Sequence, residues 1–153
     1  MTVSKSRLNY SFYEGKKAEN KFQQLMIERN NTCFKSNSHD DINKHIDFYV
    51  NDFTVDVKGN RHLNTIWLEL KNVRGLKGWL ECCADYIVFD IIELKGFCVF
   101  LRKKLFNYCL QFKDVAKDKT EYKKLYTRKD RKDLLIKVKY EHIKHLQSQI
   151  INY

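Results

Sequence analysis

The sequence predicts an α/β or α+β domain built around one sheet, on three observations. An apolar stripe at helical spacing, Ala18, Phe22, Leu25 and Met26, stands near the start of the chain. Two runs of strict polar/apolar alternation follow between His45 and Lys58, and short apolar runs recur as far as Leu101. The chain has 153 residues, of which 43% are hydrophobic, enough for a single domain, 1–153, with one packed core.

Taken in order, Gly15 to Asn30 reads as the first helix, with Glu19 at the edge of its buried face. A short strand is expected near Thr32 to Lys35, then a polar stretch, Ser36 to Lys44. Ile46, Phe48 and Val50 alternate with Asp47 and Tyr49; Phe53, Val55 and Val57 alternate with Thr54, Asp56 and Lys58. Gly59-Asn60 ends that run. Thr65 to Val73 is a third strand in which Ile66, Leu68 and Leu70 oppose Trp67, Glu69 and Lys71. A glycine-punctuated turn, Gly75 to Ala84, leads to strands at Tyr86 to Ile92 and Phe97 to Leu101. The first of these is apolar on both faces, as an interior strand is. Lys104 to Phe112 reads as helix, Leu134 to Tyr140 as strand, and Glu141 to Ile151 as a closing helix. Trp67 and Trp79 are expected in the core.

The stretch from His45 to Lys58 carries the chemistry. If Asn51-Asp52 is a two-residue turn, Val50 pairs with Phe53, Phe48 with Val55, and Asp47 with Asp56. Two carboxylates then face each other, with Lys58 two residues along the same face. Directly opposed like charges destabilise a sheet. A cation between them removes that cost, and a hard divalent ion takes one or two carboxylates together with water and phosphate oxygens. A lysine beside such an ion can orient or deprotonate an attacking water, or stabilise charge at phosphorus. Glu69-Leu70-Lys71 repeats the acid-x-lysine unit on the following strand, so either Asp56/Lys58 or Glu69/Lys71 could be the working pair. The plain alternative is that these groups form weak cross-strand ion pairs on a solvated face; the surplus acids Asp47 and Glu19 speak against it.

The formal net charge is +10 and is uneven. Residues 1–101 hold 14 Lys/Arg and 13 Asp/Glu; residues 102–153 hold 15 and 6. A basic C-terminal segment of this kind is the footprint of a polyanion partner. Arg128, Lys129, Arg131 and Lys132, with Tyr122 and Tyr126 interleaved, favour nucleic acid. No apolar run is long enough to span a bilayer and the start lacks the apolar stretch of a signal peptide, so a cytoplasmic protein without a membrane partner is expected. Five cysteines without C-x-x-C spacing read as reduced thiols, and His142 and His145 as surface residues. Heavy Lys, Asn and Ile usage hints at an AT-rich genome, compatible with a phage protein in a bacterial host.

An acid on an N-terminal helix, then Asp, then acid-x-lysine on neighbouring strands resembles the PD-(D/E)XK nuclease superfamily. Within it, residues 14–59 resemble the archaeal and phage Holliday-junction resolvases. E-G-K-K-A-E-N-K-F aligns its acid with Glu19, F-K-S-N-S places Ser36, H-I-D-F-Y-V places Asp47, and T-V-D-V-K-G places Asp56 and Lys58. Ile46 stands where proline is common, and Asp56 where these resolvases usually carry Glu. The resemblance implies a restriction-endonuclease-like core, a central mixed β-sheet flanked by helices. It implies metal-dependent hydrolysis of DNA, with Mg²⁺ (or Mn²⁺) held by Asp47 and Asp56. The carbonyl of Val57 would be a further ligand, and Glu19 and Glu69 would be supporting or second-metal groups. Ser36 and the basic cluster would contact DNA. A small chain without a separate recognition domain fits a homodimer reading branched DNA by shape. The rivals are a non-catalytic nucleic-acid-binding protein and a restriction or repair nuclease acting on duplex DNA.

Overall fold

The acid-bearing hairpin forms in the register its alternation requires. The computed structural model describes residues 5–153, with side chains from residue 12. Strand β2 (Phe48–Val50) pairs antiparallel with β3 (Phe53–Arg61), matching Phe48 with Val55 and Val50 with Phe53. Asn51, at φ 51°, takes the left-handed turn position that asparagine tolerates. Beyond the paired residues, the Asp47 N–H donates to the Val55 carbonyl at 2.9 Å, bringing Asp47 back alongside Asp56.

Helix α1 (Lys5–Glu28) begins ten residues earlier than expected, and Gly15 lies inside it. A glycine weakens a helix by about 1 kcal/mol without ending it. The helix stops where Asn30 turns left-handed (φ 63°) and the Asn31 N–H returns to the Met26 carbonyl at 2.9 Å. Ala18, Phe22 and Met26 are buried, as their spacing dictates. After β1 (Cys33–Lys35) comes a helix the polar stretch concealed, α2 (Ser38–Lys44). Its apolar stripe is absent; instead Asn37 caps it by accepting the Asp40 N–H at 2.8 Å, and Asp40 is its one buried residue.

Gly59-Asn60 does not end β3. The strand continues to Arg61 through an irregularity after Lys58, with Asn60 at φ 53°. Bulges of this kind re-aim side chains beside functional sites. Gly59 is required here: a Cβ would lie 2.7 Å from that of Ala18 and 3.2 Å from the Glu14 carbonyl. This close approach seats α1 on β3 and fixes the height of Glu19.

Strands β5 (Tyr86–Ile91), β6 (Gly96–Leu101) and β9 (Gln147–Asn152) complete a six-stranded mixed sheet, ordered β1-β2-β3-β5-β6-β9, with β5 parallel to β3. Both faces of β5 are buried, as its composition requires. Two expectations are corrected. Among the described residues there are two sheets: β4 (Ile66–Lys71) is not the neighbour of β3 but joins β7 (Leu125–Tyr126) and β8 (Leu134–Val138) in a three-stranded sheet, ordered β4-β8-β7. The closing helix shrinks to α4 (Tyr140–Ile143) and one 3₁₀ turn, and Gln147–Asn152 is instead β9, which pairs with the free edge of β6. Long-range pairing decides both, and periodicity does not reveal it. Helix α3 (Arg102–Cys109) starts two residues early.

The large sheet is covered on both faces. Phe48, Val55, Val57, Val88 and Phe97 pack beneath α1, with the Phe22 ring 5.9 Å from Phe48 and 5.3 Å from Phe97. On the other face Ile87, Phe89 and Phe100 meet Leu68 and Ile136 of the small sheet, Leu105 of α3 and Ile143 of α4. The architecture is mixed α/β with a multi-stranded mixed sheet flanked by helices. Among the described residues no helix is long and apolar enough to cross a membrane.

Candidate functional site

Because Val55 and Val57 point towards α1, Asp56 and Lys58 point to the opposite face, where the small sheet begins. Asp56 is 2% exposed. Lys58 Nζ lies 2.9 Å from its Oδ1, while its Oδ2 is buried with no hydrogen-bond partner among the described residues. Asp47 accepts the Val57 N–H on Oδ2 at 2.7 Å. Burial, and then the charge of Asp56, push the Asp47 carboxyl up to about 8; Glu19 adds to the rise, and the Val57 N–H and Lys58 oppose it. Three acids therefore share one electrostatic field. Glu19 itself is paired with Lys16 at 3.3 Å. Ser36 does not project outward: its hydroxyl donates to the Ile46 carbonyl and its N–H to the Asp47 carbonyl at 2.8 Å, pinning the backbone that carries Asp47.

The second acid-x-lysine unit divides. Glu69 is half-buried at the rim of the site and accepts the Trp79 N–H at 3.3 Å. Burial raises its carboxyl above the ordinary range, against the Trp79 N–H and the charge of Lys58. Lys71 is exposed at the end of β4. The structure thus brings Glu69 towards Asp56 and Lys58 and leaves Lys71 outside.

Trp79 is buried in the core as expected, with Lys58 Nζ 5.0 Å from its ring. Trp67 is not a core residue. It lies half-buried on the outward face of the small sheet, 5.5 Å from the Tyr126 ring. Between these rings and Glu69 opens a cleft of about 330 Å³, which Arg61, Lys119 and Arg128 also line. Arg61 is a residue the sequence does not single out, since after Gly-Asn it reads as loop. Its Nη1 donates to the Gly59 carbonyl at 2.8 Å, and its Nε is buried with no partner among the described residues. Burial lowers its guanidinium from the ordinary value, opposed by the charge of Asp56.

The basic cluster is split in the same way. All four are exposed, but Arg128 is held by the Asp133 carboxylate, Nε to Oδ2 at 2.6 Å, at the edge of the cleft. Tyr122 is not free: its hydroxyl donates to the Asn64 carbonyl at 2.7 Å and its ring lies under Lys137 and Lys139. All five cysteines are unpaired, and burial pushes Cys98 up to about 11 and Cys109 up to about 12, which makes them poor nucleophiles. The histidines are engaged separately, His142 accepting the Lys139 N–H and His145 packing on Tyr108.

Among the described residues no group of three or more His, Cys, Asp or Glu side chains is gathered as a ready metal cage. The donors that lie together are two carboxylates, one with an unpartnered buried oxygen. That is the set a hard divalent ion takes when water and phosphate complete its shell. Comparison with known proteins supplies no relative: no family model matches the chain, and no curated protein or solved structure matches it.

Proposed function

We propose that this protein is a metal-dependent DNA endonuclease of the PD-(D/E)XK type, hydrolysing phosphodiester bonds and acting on branched DNA. The observation that carries the reading is the opposed pair Asp47 and Asp56, one carboxyl pushed up to about 8 and the other with a buried, unpartnered oxygen. In the metal-free protein a proton on Asp47 relieves the repulsion, and a divalent cation would displace that proton and join the two carboxylates. Asp47 and Asp56 would hold Mg²⁺ or Mn²⁺, with the Val57 carbonyl beside them, and the ion would supply Lewis-acid activation of phosphate and water. Lys58 places a positive charge beside Asp56, where it can orient the attacking water. Glu19 and Glu69 flank the pair as supporting acids. The exposed Lys129, Arg131 and Lys132 would follow the phosphate backbone. The mixed sheet flanked by helices, with the acid-bearing helix ahead of the hairpin, supports a restriction-endonuclease-like core, and a homodimer would present two such sites to a branched substrate.

A non-catalytic nucleic-acid-binding protein is the second reading, favoured by the Lys58–Asp56 pair at 2.9 Å, which neutralises one acid internally. Incubation with supercoiled plasmid, linear duplex and a four-way junction, with Mg²⁺, Mn²⁺ or EDTA, separates the two. Metal-dependent cleavage that Asp47→Asn and Lys58→Ala abolish supports the nuclease. If no substrate is cut, it fails. Equal cutting of duplex and junction removes the preference for branched DNA alone.

A further inference from the structure

We propose that the cleft between the small sheet and the end of β3 receives a single unpaired nucleotide, its base on the Trp67–Tyr126 platform and its phosphates on Arg61, Lys119 and Arg128. The inference rests on the nuclease reading for its biological setting, and it narrows the substrate to nucleic acid with unpaired bases beside the cut. The cleft measures about 330 Å³, at the lower end of the sizes that hold small ligands. Trp67 and Tyr126 are half-buried, their rings 5.5 Å apart and inclined at 34°, and they stand on the sheet face turned away from the core. A base stacks on such rings whatever its identity, because every base has a π-face.

The charge is arranged for phosphate. Among the described residues three cations line the cleft, Arg61, Lys119 and Arg128, the last already paired with the buried Asp133, against one lining acid, Glu69. Arg61 is the informative one, because its Nε is buried with no partner among the described residues and the residue lines the cleft. An unpaired buried donor is costly, and a phosphate oxygen brought against the guanidinium would draw it into a charge-assisted bond. Arg61 also lines a second hollow, of about 310 Å³, together with Lys58. It therefore stands between the paired carboxylates and the stacking platform. A strand passing from Asp47 and Asp56 over Arg61 would enter the cleft with a nucleotide that had left its helix. A continuous duplex keeps its bases stacked and cannot offer one.

Binding is measured in EDTA, so that no cleavage is needed. The protein has two tryptophans, Trp67 and Trp79, and both line the cleft, so quenching of either reports on its occupancy. The probes are a blunt duplex, the same duplex with a short single-stranded overhang, and oligothymidylate. The expected result is quenching by the overhang and by oligothymidylate but not by the blunt duplex. In anisotropy with labelled overhang DNA, Trp67→Ala or Tyr126→Ala should weaken binding about 5- to 100-fold. Lys119→Glu, at an exposed position that leaves the fold intact, should weaken it and flatten its salt dependence. Arg61→Gln should do the same. Equal binding of blunt and overhang DNA, or unchanged affinity in Tyr126→Ala and Lys119→Glu, overturns the inference. Quenching by unpaired but not by blunt DNA, without any plasmid cleavage, upholds the cleft and removes the nuclease; cleavage without quenching does the reverse.

Discussion

Asp47→Asn should raise the stability of the metal-free protein at alkaline pH while removing its activity. In the native state the Asp47 carboxyl is held up to about 8, against an ordinary value of about 4 in an unfolded chain. The native state therefore keeps a proton that the unfolded state has lost. The stabilisation this provides is fully present below about pH 4 and is lost as pH rises to about 8, at up to about 1.4 kcal/mol per pH unit. Asparagine does not titrate and can still accept the Val57 N–H. The stability of the variant relative to the natural protein should then grow by about 3 to 4 kcal/mol between pH 5 and pH 8, as an order of magnitude. Urea titrations of both proteins in EDTA across that range measure it. Mg²⁺ or Mn²⁺ should raise the Tm of the natural protein, more at pH 8 than at pH 6, and release a proton on binding; the variant should show neither effect. Parallel stability–pH curves would refute the electrostatic argument, and an equal metal-induced shift in both proteins would refute Asp47 as a ligand.

Lys58→Ala should lower cleavage by about 10² to 10⁴ and, by leaving the buried Asp56 carboxylate unpaired, cost about 3 kcal/mol in denaturant titration. Gly59→Ala should destabilise by about 1 to 3 kcal/mol, because its Cβ meets Ala18 and the Glu14 carbonyl, and the double variant with Ala18→Gly should recover part of the loss. Phe22→Ala, removing a ring 2% exposed between Phe48 and Phe97, should cost about 3 to 5 kcal/mol and loosen the helix that carries Glu19, with a parallel fall in activity. Asp133→Ala should free Arg128 and loosen the loop at the cleft edge, weakening DNA binding more than Lys129→Ala does, as anisotropy at two salt concentrations would show.

By itself, the sequence determined whatever depends on near neighbours. Alternation with period two placed Asp47, Asp56 and Lys58 on one face, and the turn at Asn51 set their register, because hairpin pairing is local. The helical stripe of Ala18, Phe22 and Met26 was equally local, although the start of α1 was not, since no breaker marks it. Capping residues rather than an apolar stripe make α2, so periodicity passed over it.

Only the tertiary structure decided what depends on distant partners. The pairing of β4 with β8 moved Glu69 and Lys71 off the first sheet, kept Glu69 at the site rim and left Lys71 in solvent. The pairing of β9 with β6 replaced a helix with a strand because an open sheet edge was available. The bulge after Lys58 turned Arg61 inward, and the arrival of β7 beside β8 brought Tyr126 to Trp67. Sequence spacing carries the register of adjacent strands; which edge a remote strand finds is settled by the burial of the whole core.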